Sequence, residues 1–320
     1  MADLMESFKT VHYIYLLPTI VLMVLSFVFR AYRWRILLQP IKQVEVNSLY
    51  SPLMVGFMGN ILPARAGEVV RAYLLSKKHD ISFTGAVASI IVERLFDIFM
   101  LLMLFAWIFI GHAEIISPEL EIKGVSVQGL ASKFGMVSAT LLVLLIVFIT
   151  LLLTQKEKML KLIHWCTRPL PEKWKGKVEY LVDEFILGFQ VAKDIGALMK
   201  ITWYSLLVWG AITLSYYPMY WAYDLQDKSL QSVVLVTVLV AVFITLLPTP
   251  AFLGSFNTAV LIALHNIMNE SELAAVSFGM VAWALSFGVI FVSGLYFILH
   301  DHLSMKNLVE VEDSEIETLK

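Results

Sequence analysis

The chain has 320 residues, 59% of them hydrophobic and only 16% charged, with a net charge of −2. A mean hydropathy of +0.77 excludes a soluble globular domain and requires several segments that cross a bilayer. The near-neutral charge excludes a nucleic-acid footprint, and the single cysteine, Cys166, excludes an intrachain disulfide framework.

A transmembrane helix needs roughly 20 apolar residues. The first such run, 12–29, follows acidic residues and is trailed by no small-residue cleavage site, so it reads as a retained helix. The group Arg30, Arg33, Trp34 and Arg35 then reads as an interfacial anchor, or as a greeting for lipid headgroups. Segment 47–75 is long enough to span but is broken at Asn60-Ile-Leu-Pro63-Ala-Arg65-Ala-Gly67. Pro63 has no backbone N–H to continue a helix, and Gly67 tolerates almost any dihedral. A second helical run then carries Glu68, Arg71 and Tyr73 to Lys77 and Lys78. Glu68 and Arg71, three apart, share a face and can pair.

Segments 83–110, 134–154, 199–223 and 273–299 also meet the span test. Segment 230–266 is broken at Leu247-Pro248-Thr249-Pro250, with Gly254-Ser255 close behind. Between the spans, Val178, Leu181, Val182, Phe185, Phe189 and Ala192 fall at helical spacing, predicting an amphipathic elbow on the cytoplasmic interface. The spacings Ala275/Gly279 and Ala284/Gly288 predict close helix packing. Residues 1–306 thus read as one transmembrane domain, and 307–320 as an acidic, disordered tail.

Lys and Arg set the threading. Arg30, Arg33, Arg35 and Lys42 precede the first break, and Arg65, Arg71, Lys77 and Lys78 lie in or after it, so it enters and leaves on the cytoplasmic side. Asp224, Asp227, Glu270 and Glu272 flank the second, which enters and leaves from outside. The expected fold is an all-α polytopic membrane protein of about five spanning helices plus two oppositely oriented re-entrant hairpins. Paired breaks of this kind mark an inverted-repeat transporter; two kinked, fully spanning helices are the plainer alternative. The N-terminus falls outside and the C-terminus in the cytoplasm, which places the chain in the cell membrane.

Glu93, Arg94 and Asp97 stand inside the apolar run 83–110. Intramembrane ionisable residues are costly and mark a site by default. Arg94 can pair with Asp97 three residues on, and Glu93 then needs a cation from Arg65 or Arg71. Arg65, Glu68, Arg71, Glu93, Arg94 and Asp97 sum to zero charge and could simply staple the broken segment to its neighbour. For Arg65 and Arg71 the functional reading is phosphate binding, because a guanidinium at a broken helix end suits that anion. The histidines are scattered, and no zinc, nucleotide or hydrolase motif is present. No metal or cofactor is expected.

With these stretches in view, the chain resembles the flippase-like membrane domain of lysylphosphatidylglycerol synthases, which also occurs in stand-alone bacterial and archaeal membrane proteins. The resemblance is carried by Arg33-Trp34-Arg35, the stretch from Asn60 to Arg71, Val92-Glu93-Arg94-Leu-Phe-Asp97, and Leu247-Pro248-Thr249-Pro250 with Gly254-Ser255. It implies movement of an anionic, aminoacylated or polyprenyl-phosphate-linked lipid between leaflets, with Asn60, Arg65, Glu68, Arg71, Glu93, Arg94 and Asp97 as substrate-binding residues. Pro63, Gly67, Pro248, Pro250, Gly254 and Ser255 would form the two breaks. The chain departs from the family pattern in lacking one helix ahead of Arg33-Trp34-Arg35. It also has Asn257 where a carboxylate is common. The expected partners are membrane lipids and a separate lipid-modifying enzyme, with no enzymatic activity in this chain. A membrane-embedded transferase acting on a polyprenyl phosphate, or a non-catalytic scaffold, are the rival readings.

Overall fold

A computed structural model describes residues 7–60, 67–112, 194–247 and 249–303, with Val191 and scattered residues between 121 and 147. Among them the regular structure is helical apart from an antiparallel ladder of two residues per strand, β1 (Glu121–Ile122) with β2 (Val125–Ser126). The helices in chain order are α1 (Leu16–Leu38), α2 (Val46–Gly59), α3 (Gly67–His79), α4 (Phe83–Gly111), α5 (Gly135–Leu144) and α6 (Ile195–Ala222). There follow α7 (Leu230–Leu246), α8 (Leu253–Leu261) and α9 (Glu272–His300).

Local chemistry explains the starts. Ser82, Asp194, Ser229 and Ser271 each accept a hydrogen bond from a backbone N–H in the first turn of the helix they precede. Pro18 lies in the first turn of α1, where its missing N–H costs nothing. Asp80, Asp224 and Asn269 take positive φ (48°, 45° and 58°) just after helix ends, a conformation that short polar side chains tolerate.

Among the described residues five stretches are long and apolar enough to cross a membrane: Tyr13–Leu38, Phe83–Gly111, Ile195–Ala222, Pro250–Ile267 and Glu272–His300. The expected break at Leu247–Pro250 is present, because α7 ends at Leu246 and a tight turn, Pro250–Phe252, leads into α8. The helix then runs on through a π turn, Ile262–Ile267, and ends within one residue of the expected limit of this segment. The expected span 134–154 is described only at 135–144 and 147, and the amphipathic stretch 178–193 only at Val191.

The first broken segment closes on itself. A Cβ added to Gly56 would lie 2.6 Å from Arg71 Cβ, and one added to Gly59 would lie 3.0 Å from Gly67 Cα. Such an approach of α2 and α3 allows no side chain at these glycines. α9 braces both broken segments. Its Gly294 meets Met58 of α2, and its Gly279 meets Asn257 of α8. Ala284 and Gly288 differ from expectation: Ala284 is exposed and Gly288 faces open space, so this second small pair does no packing here. The core divides accordingly. One cluster gathers Trp34, Leu37, Leu53, Leu75 and Ile201 around the first segment. Another gathers Tyr220, Leu235, Val236, Val260 and Phe278 around the second.

α1 and α6 run antiparallel. The amide of His12 donates to the Ala222 carbonyl at one end (2.9 Å), and Tyr32 stacks on Tyr204 toward the other. Lys42, Lys78 and Asp301 gather at the second end, through Lys42 Nζ to the His79 carbonyl and Lys78 to Asp301. Asp224, Lys228 and Glu270 lie at the first, where Glu270 accepts from the Gln226 amide (2.7 Å). The outer face carries exposed Leu17, Val21, Met199, Trp203, Val292 and Leu299, a surface suited to lipid.

Candidate functional site: a buried ionic cluster

Glu93 stands ten residues past Phe83, about 15 Å along α4 at 1.5 Å per residue. It is fully buried, as is Arg33 of α1. Arg71 of α3 holds Glu93 with two bonds, Nη1 to Oε1 at 3.1 Å and Nη2 to Oε2 at 2.7 Å. This parallel fork is the strong form of a guanidinium–carboxylate pair. The guanidinium of Arg71 also lies 3.7 Å from the ring centroid of Trp34, whose indole N–H donates to Ser89 (3.0 Å). Arg94 reaches Glu93 Oε1 at 2.7 Å and Asp97 Oδ2 at 3.2 Å.

Arg33 joins both carboxylates, at 2.8 Å from Asp97 Oδ1 and 3.3 Å from Glu93 Oε1, and donates to Ser205 of α6 at 3.0 Å. Trp209 of α6 donates to Asp97 as well (3.3 Å). Arg30 makes only a long contact with Asp97 Oδ2, 3.7 Å. Four elements therefore converge on two carboxylates: α1, α3, α4 and α6.

Several expectations change here. Arg33 and Trp34 are not an interfacial anchor, since both are 0% exposed within the cluster. The cause is that α1 does not stop at residue 29 but continues to Leu38, carrying Arg33 and Trp34 inward. Glu68 does not pair with Arg71; it is half exposed and lies 3.5 Å from Arg94, because Arg71 is already taken by Glu93. The pairing of Glu93 with Arg71 and of Arg94 with Asp97 is present. Arg65 and Pro63 lie outside the described residues, as does Pro248. Asn60 ends α2 and packs on Gly67. Sequence reading set Arg30 and Arg33 at the interface rather than in this cluster, and it did not single out Ser205 or Trp209. The i, i+3 spacing of Arg30 and Arg33 puts both on one face of a continuing helix but names no partner for them.

At the second break no charge takes part among the described residues. Thr249 Oγ1 accepts from the Ser255 amide (3.1 Å), and Trp283 of α9 donates to the Ala251 carbonyl (2.8 Å). Ala251 and Phe252 hold φ of 50° and 60°, a conformation costly for residues with a Cβ. Gly254 sits against Thr249, and Asn257 bonds back to the Leu253 carbonyl.

The model of the lysylphosphatidylglycerol synthase transmembrane region matches residues 1–300. The chain belongs to that family. It is also similar to a protein named Glycosyltransferase AglD from Haloferax volcanii, 33% identical over 95 residues. That match covers 29% of this chain and 15% of the relative's length. No solved structure matches. Membership of a membrane family agrees with the apolar helices, and it turns attention to what a buried cluster of arginines does in a bilayer.

Proposed function

We propose that this protein moves a phosphate-bearing lipid, whether anionic, aminoacylated or polyprenyl-linked, between membrane leaflets. The observation that carries the reading is the charge of this cluster, most of it buried. Among the described residues Arg30, Arg33, Arg71 and Arg94 face Glu68, Glu93 and Asp97, four cations against three anions. A structural staple has no use for a surplus cation inside a membrane, where each unpaired charge is expensive. A binding site for an anion does. The two broken segments serve in this reading as oppositely oriented re-entrant hairpins, with α9 as the brace they share. The end with Lys42 and Lys78 is cytoplasmic by the excess of Lys and Arg expected there, and the end with Asp224 and Glu270 is external.

The purified protein, reconstituted into liposomes containing a fluorescent phosphatidylglycerol, should expose inner-leaflet label to an external quencher faster than protein-free liposomes do. Equal rates would end the transport reading. The glycosyltransferase relative supports a second reading, a transferase on a polyprenyl phosphate. Its cost is that Glu93 and Asp97, the acidic pair of the buried cluster, are already held by arginines.

A further inference from the structure

A cavity of about 120 Å³ lies between α1, α6 and α9, closed on one side by Phe57 of α2. Its polar lining is Ser26, Arg30, Ser215, Tyr216 and Ser286, and the remainder is apolar. The volume is far beyond the roughly 10–15 Å³ that one water requires.

Arg30 is the cation of the cluster with the least return. Arg33, Arg71 and Arg94 each have a carboxylate oxygen at 2.7–2.8 Å, whereas Arg30 has one at 3.7 Å and its Nη1 donates no hydrogen bond. Its guanidinium rests 5.2 Å from the Phe57 ring centroid, at the cavity wall. The side chain that lines this cavity is thus the one whose charge the cluster's carboxylates compensate least. An anion there would take hydrogen bonds that Asp97 does not.

The serines add a second requirement. Ser26 Oγ donates to the Met23 carbonyl and Ser215 Oγ to the Ile212 carbonyl, both at 2.7 Å. Their protons are committed, so they offer lone pairs to the cavity. A ligand that fits has a negative centre with hydroxyl or ammonium donors beside it. Its tail finds apolar surface, since Val21, Val24 and Leu25 of α1 and Phe291 and Val292 of α9 are exposed.

We propose that this cavity is the headgroup site for a phosphodiester lipid. Arg30 binds the phosphate, and Ser26 and Ser215 accept hydrogen bonds from the headgroup. This rests on the lipid-transport reading and names the place where the lipid is held. The test is binding of dioctanoyl phosphatidylglycerol to the delipidated full-length protein in detergent, counted by native mass spectrometry. Glycerol 3-phosphate serves as the tail-free competitor.

Arg30→Gln should weaken binding at least tenfold. Ser215→Leu, which fills the cavity and leaves Arg30 in place, should do the same, and this covers the case in which Arg30→Gln does not fold. Wild-type affinity in Ser215→Leu, or in a folded Arg30→Gln, would overturn the site. Full competition by glycerol 3-phosphate would overturn the lipid as its occupant in favour of a soluble phosphate ester. Variant-sensitive binding by a protein that moves no lipid in liposomes would support the site and overturn only the transport reading.

Discussion

The first broken segment, α2 with α3, is fastened to the molecule by charge, whereas the second, Leu230–Ile267, is fastened by hydroxyls and backbone groups. Arg71 ties α3 to α4 through Glu93, and Glu93 in turn binds Arg33 of α1. At the second break Thr249, Ser255 and Trp283 make neutral hydrogen bonds, and Gly279 of α9 lets Asn257 approach. The difference separates two jobs. A neutral fastening holds shape without attracting ions, while a charged one holds shape and also leaves a field. Only the first segment can contribute electrostatically to a ligand, and only it should be sensitive to the loss of a single charge.

The largest expected effect tests that sensitivity. Glu93→Gln leaves Arg71, Arg33 and Arg94 around one remaining buried carboxylate, at a cost on the order of 3–5 kcal/mol. Adding Arg71→Met removes one orphaned cation and should recover much of the loss. Thermal unfolding in detergent of both single variants and the double variant gives the coupling directly. Coupling near zero would mean that charge does not fasten the first segment, and the contrast between the segments would collapse.

A smaller effect is expected at the second break. Thr249→Val keeps the volume but removes the hydroxyl that accepts from the Ser255 amide, at a cost of about 1 kcal/mol. The same unfolding assay checks it. A loss as large as that of Glu93→Gln would show that the neutral break is as tightly held as the charged one.

Much of this contrast is legible in the chain itself. Proline and glycine mark both breaks, and Glu93, Arg94 and Asp97 are conspicuous in an apolar run. A partner for Glu93 on the broken segment, Arg65 or Arg71, follows from opposite charge and from a segment that must fold back, and the geometry gives Arg71. Arg30 and Arg33 do not follow in the same way. Their burial depends on Asp97, 64 positions after Arg33, and no local pattern announces a pairing at that distance. Ser205 and Trp209 are less visible still, since a serine and a tryptophan in an apolar helix are ordinary until their partners are known. The left-handed pair Ala251 and Phe252 has no signature either, because neither residue type favours positive φ.

The smallest effect concerns the tether between the first segment and α9, at the end of the molecule where Lys78 meets Asp301 (3.0 Å). Partial burial would raise the Asp301 carboxyl, but hydrogen bonds from Ser51, His300 and Lys78, with the Lys78 charge, hold it down at about 2. A carboxyl lowered in the folded state stabilises above its unfolded value, near 3.9, and loses that contribution as pH falls toward its folded value. Asp301→Asn should therefore cost little, under about 1 kcal/mol for a partly exposed pair, at pH 7. The gap between variant and wild type should close between about pH 4 and pH 2. Unfolding temperatures of the two proteins across that range provide the check. A gap that persists at pH 2 would assign the effect to packing of the C-terminal end of α9 on Ser51, and the charged fastening of the first segment would then end at the buried cluster.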